Sequence, residues 1–189
     1  QNALVEITDY PIIFDDKFFI TFRIAENINI LCISSQDSVS SIQSLFGKDP
    51  FFSLKLTSPN KIDYSTFSKQ NLIILNESDS ISSGLGQELK KFIENGGSLL
   101  IFPSEKINFN SYKDFFSPLN LNYFETLDST PTKVVNINLE HSIYENVFEK
   151  SMSAGPNENM DLPVINKQYW LSRLSQTNEE WLMKTQNGN

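Results

Sequence analysis

The chain has 189 residues, of which 39% are hydrophobic and 12% aromatic, with a formal net charge of −8 at pH 7. That length holds one domain of ordinary size with some left over, and the composition can bury a core without disulfides or metal. The 15 Lys and Arg are scattered, which excludes a phosphate-neutralising surface and nucleic acid as a partner. The one cysteine, Cys32, forms no internal bridge and no multi-thiolate zinc site, and no run approaches the roughly 18 apolar residues of a membrane span.

Residues 1–26 read as β structure. Leu4, Val5 and Ile7 form one apolar stretch and Ile12 to Phe14 a second. After an Asp15-Asp16 turn, Phe18, Ile20, Phe22 and Ile24 alternate, which predicts a strand with one buried face. So few antiparallel strands are marginal alone, so this hairpin is expected to be the end of an upstream β-rich domain.

From Asn27 to the end the pattern becomes continuous apolar runs separated by helices, as in strands buried on both faces of a parallel sheet. Ile28 to Ile33 is the first strand. A helix carrying Val39, Ile42, Leu45 and Phe46 follows and stops at Gly47. Phe52, Leu54 and Leu56 form the second strand, and a short helical turn surrounds Tyr64 and Phe67.

Asn71 to Glu105 is the clearest unit, a strand, crossover helix and parallel strand. Leu72 to Leu75 is the expected central strand. Asp79 or Ser80 is the expected cap of a helix with Ile81, Leu85, Leu89, Phe92 and Ile93 at a 3.6-residue period. Gly96 suits a left-handed helix stop, because it has no Cβ to clash. Leu99 to Phe102 is the return strand. Beyond Pro103, Tyr112 to Phe116 predicts a short helix, Lys133 to Leu139 a strand, Ile143 to Phe148 a helix, Ser151 to Asp161 a loop and Glu180 to Lys184 a strand. Gln1 begins without a Met or leader and Gln186 to Asn189 reads as a turn, so a piece of a longer protein is expected, truncated at the C-terminus.

The fold class expected is therefore α/β: an open, mainly parallel sheet flanked by helices over residues 27–189, preceded by the hairpin. In such sheets ligands bind beyond the carboxyl ends of the strands. Those ends make Asp37, Asn76, Glu77, Ser104 and Glu105 the ligand-binding candidates, against the plainer reading that loops after strands are polar and Ser and Asp cap helices.

Ser104 is the one candidate nucleophile near an elbow position, but the glycines of G-x-S-x-G are missing around it. His141, the only histidine, would be its base only if the fold brought the two together. Cys32 lies inside an apolar run and reads as a buried small hydrophobe. Asp9, Asp15 and Asp16 match no calcium loop and read as turn residues. Gly84 and Gly86 fall within a helical period, without the third glycine or the Lys-Ser or Lys-Thr of a phosphate loop. Tyr169, Trp170 and Trp181 read as packing residues.

Three stretches resemble the soluble part of bacterial BatA-type membrane proteins, associated by name with aerotolerance operons: Asn71 to Glu77 (NLIILNE), Asn95 to Pro103 (NGGSLLIFP) and His141 to Phe148 (HSIYENVF). Asp9 to Asp16 also fits the end of that family's β-rich part. The resemblance implies paired N-terminal transmembrane helices outside this chain, then β-rich and class I glutamine amidotransferase-like, flavodoxin-like regions. In active amidotransferase-like domains the Gly-Gly helix end and next strand lead to a Cys between glycines, later joined by His and Glu. Here Phe102, Pro103 and Ser104 occupy that region, and His141 is not followed by Glu at the second position, so no triad member carries over.

The expectation is a non-catalytic interaction or scaffold domain of a membrane-anchored protein, its soluble region extracytoplasmic, in the periplasm. No cofactor and no metal are expected, and the partners would be other membrane or periplasmic proteins. Two rivals are a hydrolase using Ser104 assisted by Glu77, Glu105 or His141, and a sensor holding a cation or polar metabolite at the strand ends.

Overall fold

A computed structural model describes residues 2–7, 17–21, 27–35, 39–145, 147, 162–174, 177 and 179–188. Its backbone forms two compact units, one made of residues 1–75 and 96–101, the other of 76–95 and 102–189.

In the first unit, β1 (Asn2–Glu6) and β2 (Lys17–Thr21) pair antiparallel, Leu4 opposite Phe19 and Val5 opposite Phe18. The expectation of one buried face on the second strand fails for its described residues. Phe18 is 68% exposed and Phe19 76%, because among the described residues no second layer covers either face of the two-stranded ribbon. Phe22, Ile24, Ile12 to Phe14 and the turn aspartates lie outside the described residues.

The sheet that follows has four parallel strands in the order β4-β3-β5-β6. They are β3 (Ile28–Ser34), β4 (Phe52–Thr57), β5 (Leu72–Ser78) and β6 (Ser98–Pro103), with α1 (Ser40–Phe46) between the first two and α2 (Ser83–Glu94) between the last two. β3 and β5 are interior strands, which is why their sequences are almost continuously apolar.

Asn71 sets the register at the start of the sheet. Its Oδ1 accepts from Asn29 N at 2.9 Å, its N–H donates to Asn29 O at 2.9 Å, and its carbonyl accepts from Ser98 N at 3.1 Å. One residue thereby ties the starts of three strands. The first unit's core gathers Ile30, Cys32 and Ile74, none measurably exposed, with Val39 and Ile42 of the α1 segment.

In the second unit α2 is capped by Ser82, whose hydroxyl accepts from Leu85 N at 3.3 Å. This corrects the expected cap at Asp79 or Ser80. The Asp79 carboxylate is engaged by Ser104 and its carbonyl by Asn108 N at 2.7 Å. The helix buries Leu85, Leu89 and Phe92, and after it Gly96 takes φ +88°, the left-handed stop its position called for. A Cβ at Gly86 would meet the Phe115 ring at 3.4 Å, an ordinary van der Waals contact.

α3 (Phe109–Phe116) is capped by Asn108 and buries Tyr112, Phe115 and Phe116. Tyr112, Phe116 and β7 (Phe124–Asp128) form an aromatic cluster, the Phe124 centroid 5.5 Å from each of the other two rings. β7 pairs antiparallel with β10 (Gln168–Leu171), while β8 (Thr132–Ile137) lies between β9 (Val164–Ile165) and β11 (Met183–Thr185). Val134, Ile137 and Leu162 make a small core there.

The helix expected over Ile143 to Phe148 is, in the described residues, a single 3₁₀ turn, Ser142–Tyr144. The expected Ser151 to Asp161 loop lies outside the described residues.

Candidate functional site

The polar residues at the ends of β5 and β6 belong to the second unit. Glu77 holds φ +50°, a left-handed conformation that costs a non-glycine residue about 1–3 kcal/mol. Ser78 follows, and its carbonyl accepts from the buried Tyr112 hydroxyl at 2.7 Å.

Asp79 Oδ1 accepts from Ser104 Oγ at 2.6 Å, and that same oxygen of Ser104 accepts from Lys106 N at 3.1 Å. The Ser104 carbonyl accepts from the Tyr169 hydroxyl at 2.5 Å. Ser104 is thus held at hydroxyl and carbonyl alike. Burial raises the Tyr169 phenol above its ordinary range; a hydrogen bond with the Ile107 backbone opposes the shift, and the Glu105 and Asp79 carboxylates add to it. Glu105 pairs with Lys167 at 2.6 Å across an exposed surface, a contact worth about 0–1 kcal/mol.

Of the expected ligand candidates, Asn76, Glu77, Ser104 and Glu105 therefore lie on consecutive strand ends of one sheet, with Asp79 added to them. Asp37 lies outside the described residues. Asp79 was legible only as a helix cap. Its pairing with Ser104 needs β5 and β6 to be neighbours, which local patterning does not encode.

His141 does not serve Ser104. Its Nδ1 accepts from Ile143 N at 3.1 Å, and its Nε2 faces Glu180 Oε2 at 3.1 Å. A nitrogen that accepts a backbone N–H carries no proton itself, so the proton of the neutral ring is on Nε2, toward Glu180. Both nitrogens are spent on local structure.

Cys32 has no exposed surface, and burial pushes its thiol up to about 11. It is neutral at pH 7, and a neutral thiol is neither nucleophile nor metal ligand. Native protein is expected to resist iodoacetamide at pH 8 and to take up one equivalent in urea, as measured by intact mass. Rapid labelling without denaturant would contradict that burial. Among the described residues no group of three or more His, Cys, Asp and Glu is placed to hold a metal ion, and no helix is long and apolar enough to cross a membrane.

A cleft of about 410 Å³ opens beside Ser104, walled by Phe102, Phe124, Leu127, Tyr169 and Leu171, with Glu105, Lys167 and Gln168 also lining it. A second cleft, of about 380 Å³, lies between α2 and α3 over Ile81, Gly86 and Phe115. The first adjoins the candidate residues.

A parallel four-strand sheet with intervening helices, and polar groups at the carboxyl ends of its strands, makes this an α/β fold. A ThuA-like protein from Bacteroides uniformis has a similar structure, with a TM-score of 0.55 and 17% identity over 80% of this chain. The match covers 63% of that protein's chain, and at this identity it speaks for the fold alone. No family model and no curated protein matches the sequence.

Proposed function

We propose that the chain is the non-catalytic, amidotransferase-like part of a membrane-anchored bacterial protein of the BatA type, acting by binding other membrane or periplasmic proteins. The stretches Asn71 to Glu77, Asn95 to Pro103 and His141 to Phe148 support the family and, through it, the flavodoxin-like details and the extracytoplasmic location. The observation that carries the non-catalytic reading is the bond from Ser104 Oγ to Asp79 at 2.6 Å. A hydroxyl becomes a nucleophile when a base of suitable strength takes its proton. A carboxylate alone is a weaker base than an imidazole, and the one imidazole is engaged by Ile143 and Glu180.

A small-ligand sensor is the second reading, favoured by the cleft beside Ser104. The test of the first is turnover. Purified protein incubated with p-nitrophenyl acetate and with L-glutamine is expected to release product no faster than buffer, and Ser104→Ala is expected to change nothing. Turnover that the Ser104→Ala substitution abolishes would overturn the proposal.

A further inference from the structure

We propose that the cleft beside Ser104 receives an aromatic or aliphatic side chain, with its adjoining backbone carbonyl, from an uncharged segment of a partner polypeptide; this rests on the binding role given to the site above. The cleft walls are mostly apolar, and two of its residues stay open to water, Phe102 at 43% and Leu171 at 41%. Such a surface asks for an apolar occupant. Its two charges answer each other: Lys167 Nζ lies 2.6 Å from Glu105 Oε2. An ionised ligand would compete with that pair, whereas a neutral one leaves it in place.

The specific signal is Gln168. Its Nε2 is shut off from solvent and has no hydrogen-bond partner among the described residues, although Gln168 lines the cleft. Buried donors are nearly always satisfied, so an unsatisfied one in a cleft wall marks a place for an acceptor. The terminal amide torsion is soft, and its rotation is the movement by which the N–H would reach an acceptor in the cleft. The other polar atoms nearby are committed, Tyr169 Oη to the Ser104 carbonyl and Ser104 Oγ to Asp79. A carbonyl is the acceptor that brings no charge. A polypeptide supplies it beside an apolar side chain and also covers the half-exposed rim, which a free small molecule filling about 410 Å³ would leave wet.

The test is titration of ¹⁵N-labelled protein with acetyl-Ala-Phe-Ala-amide, acetyl-Ala-Ala-Ala-amide and benzamide, followed by NMR. The phenylalanine peptide is expected to shift the Gln168 side-chain amide and the backbone signals of residues 102–105 and 167–171, binding with a Kd of roughly 1 mM. Benzamide and the alanine peptide are expected to bind at least about fivefold more weakly. Gln168→Leu should keep the fold and lower affinity for the phenylalanine peptide about fivefold, and Leu127→Trp should fill the cleft and abolish binding. Shifts elsewhere, an unchanged affinity in Gln168→Leu, or equal affinity for benzamide would overturn the proposal. Cleavage of the peptide in the same samples would instead sink the non-catalytic reading and leave the cleft assignment standing.

Discussion

Tyr112→Ala is expected to destabilise the protein by about 3–5 kcal/mol, the range for removing a large buried aromatic ring, as measured by urea denaturation. Tyr112 has no exposed surface, lies 5.5 Å from Phe124 and 6.0 Å from Phe116 by ring centroid, and donates its hydroxyl to the Ser78 carbonyl. Tyr112→Phe keeps the ring and leaves that carbonyl without its donor, so a smaller loss of about 1–3 kcal/mol is expected.

The two variants also separate in alkali. Burial, with smaller contributions from Tyr169 and Asp79, raises the Tyr112 phenol well above its ordinary range. The folded state therefore keeps the proton that the unfolded state begins to release near pH 10. The stabilisation tied to this group is complete below about pH 10 and is lost as the pH climbs from there toward the folded value. Wild-type stability should fall over that window, and Tyr112→Phe should fall less steeply. Identical slopes would mean that Tyr112 is not the group responsible.

Ile74→Ala is the second large effect. Ile74 is fully buried on interior strand β5 and packs in one cluster with Ile30, Cys32 and Ile42. The loss expected is about 2–5 kcal/mol, against about 0.5–1.5 kcal/mol for Ile74→Val, because the alanine leaves a cavity that a close-packed sheet cannot collapse to fill. For a chain of this size the alanine variant should melt roughly 4–20 °C lower. A shift below that of Ile74→Val would show that the strand has room to relax.

Where residues are buried on both faces or at a fixed helical period, the sequence carries the answer in local form. Ile28 to Ile33, Leu72 to Leu75 and the Leu85, Leu89, Phe92 stripe all became the expected elements. Gly96 could be read because a left-handed stop leaves few alternatives. β7 and β10 were missed, since Phe124–Asp128 and Gln168–Leu171 are short and mixed in polarity and are strands because they pair with each other. The α2 cap moved to Ser82 for a similar reason. Asp79 has the chemistry of a cap, but Ser104 and Asn108, distant in sequence, claim its oxygens.

The candidate site divides in the same way. Its residue types at the strand ends could be named from the pattern of runs, whereas the bonds from Ser104 to Asp79 and from Tyr169 to Ser104 depend on which strands end side by side. The same holds for His141, whose role in the turn follows from the approach of Glu180.

The β1–β2 ribbon bears on how the molecule behaves at high concentration. A net charge of −8 keeps copies of the chain apart in dilute buffer, but the ten residues of the two strands carry one acid and one base, Glu6 and Lys17, joined at 3.2 Å. The strands themselves thus carry no net charge where Leu4, Val5, Phe18 and Phe19 are open to water. Salting-out agents strengthen apolar association, so precipitation by sulfate should begin at this ribbon, and a Phe19→Lys variant would remain in solution longest.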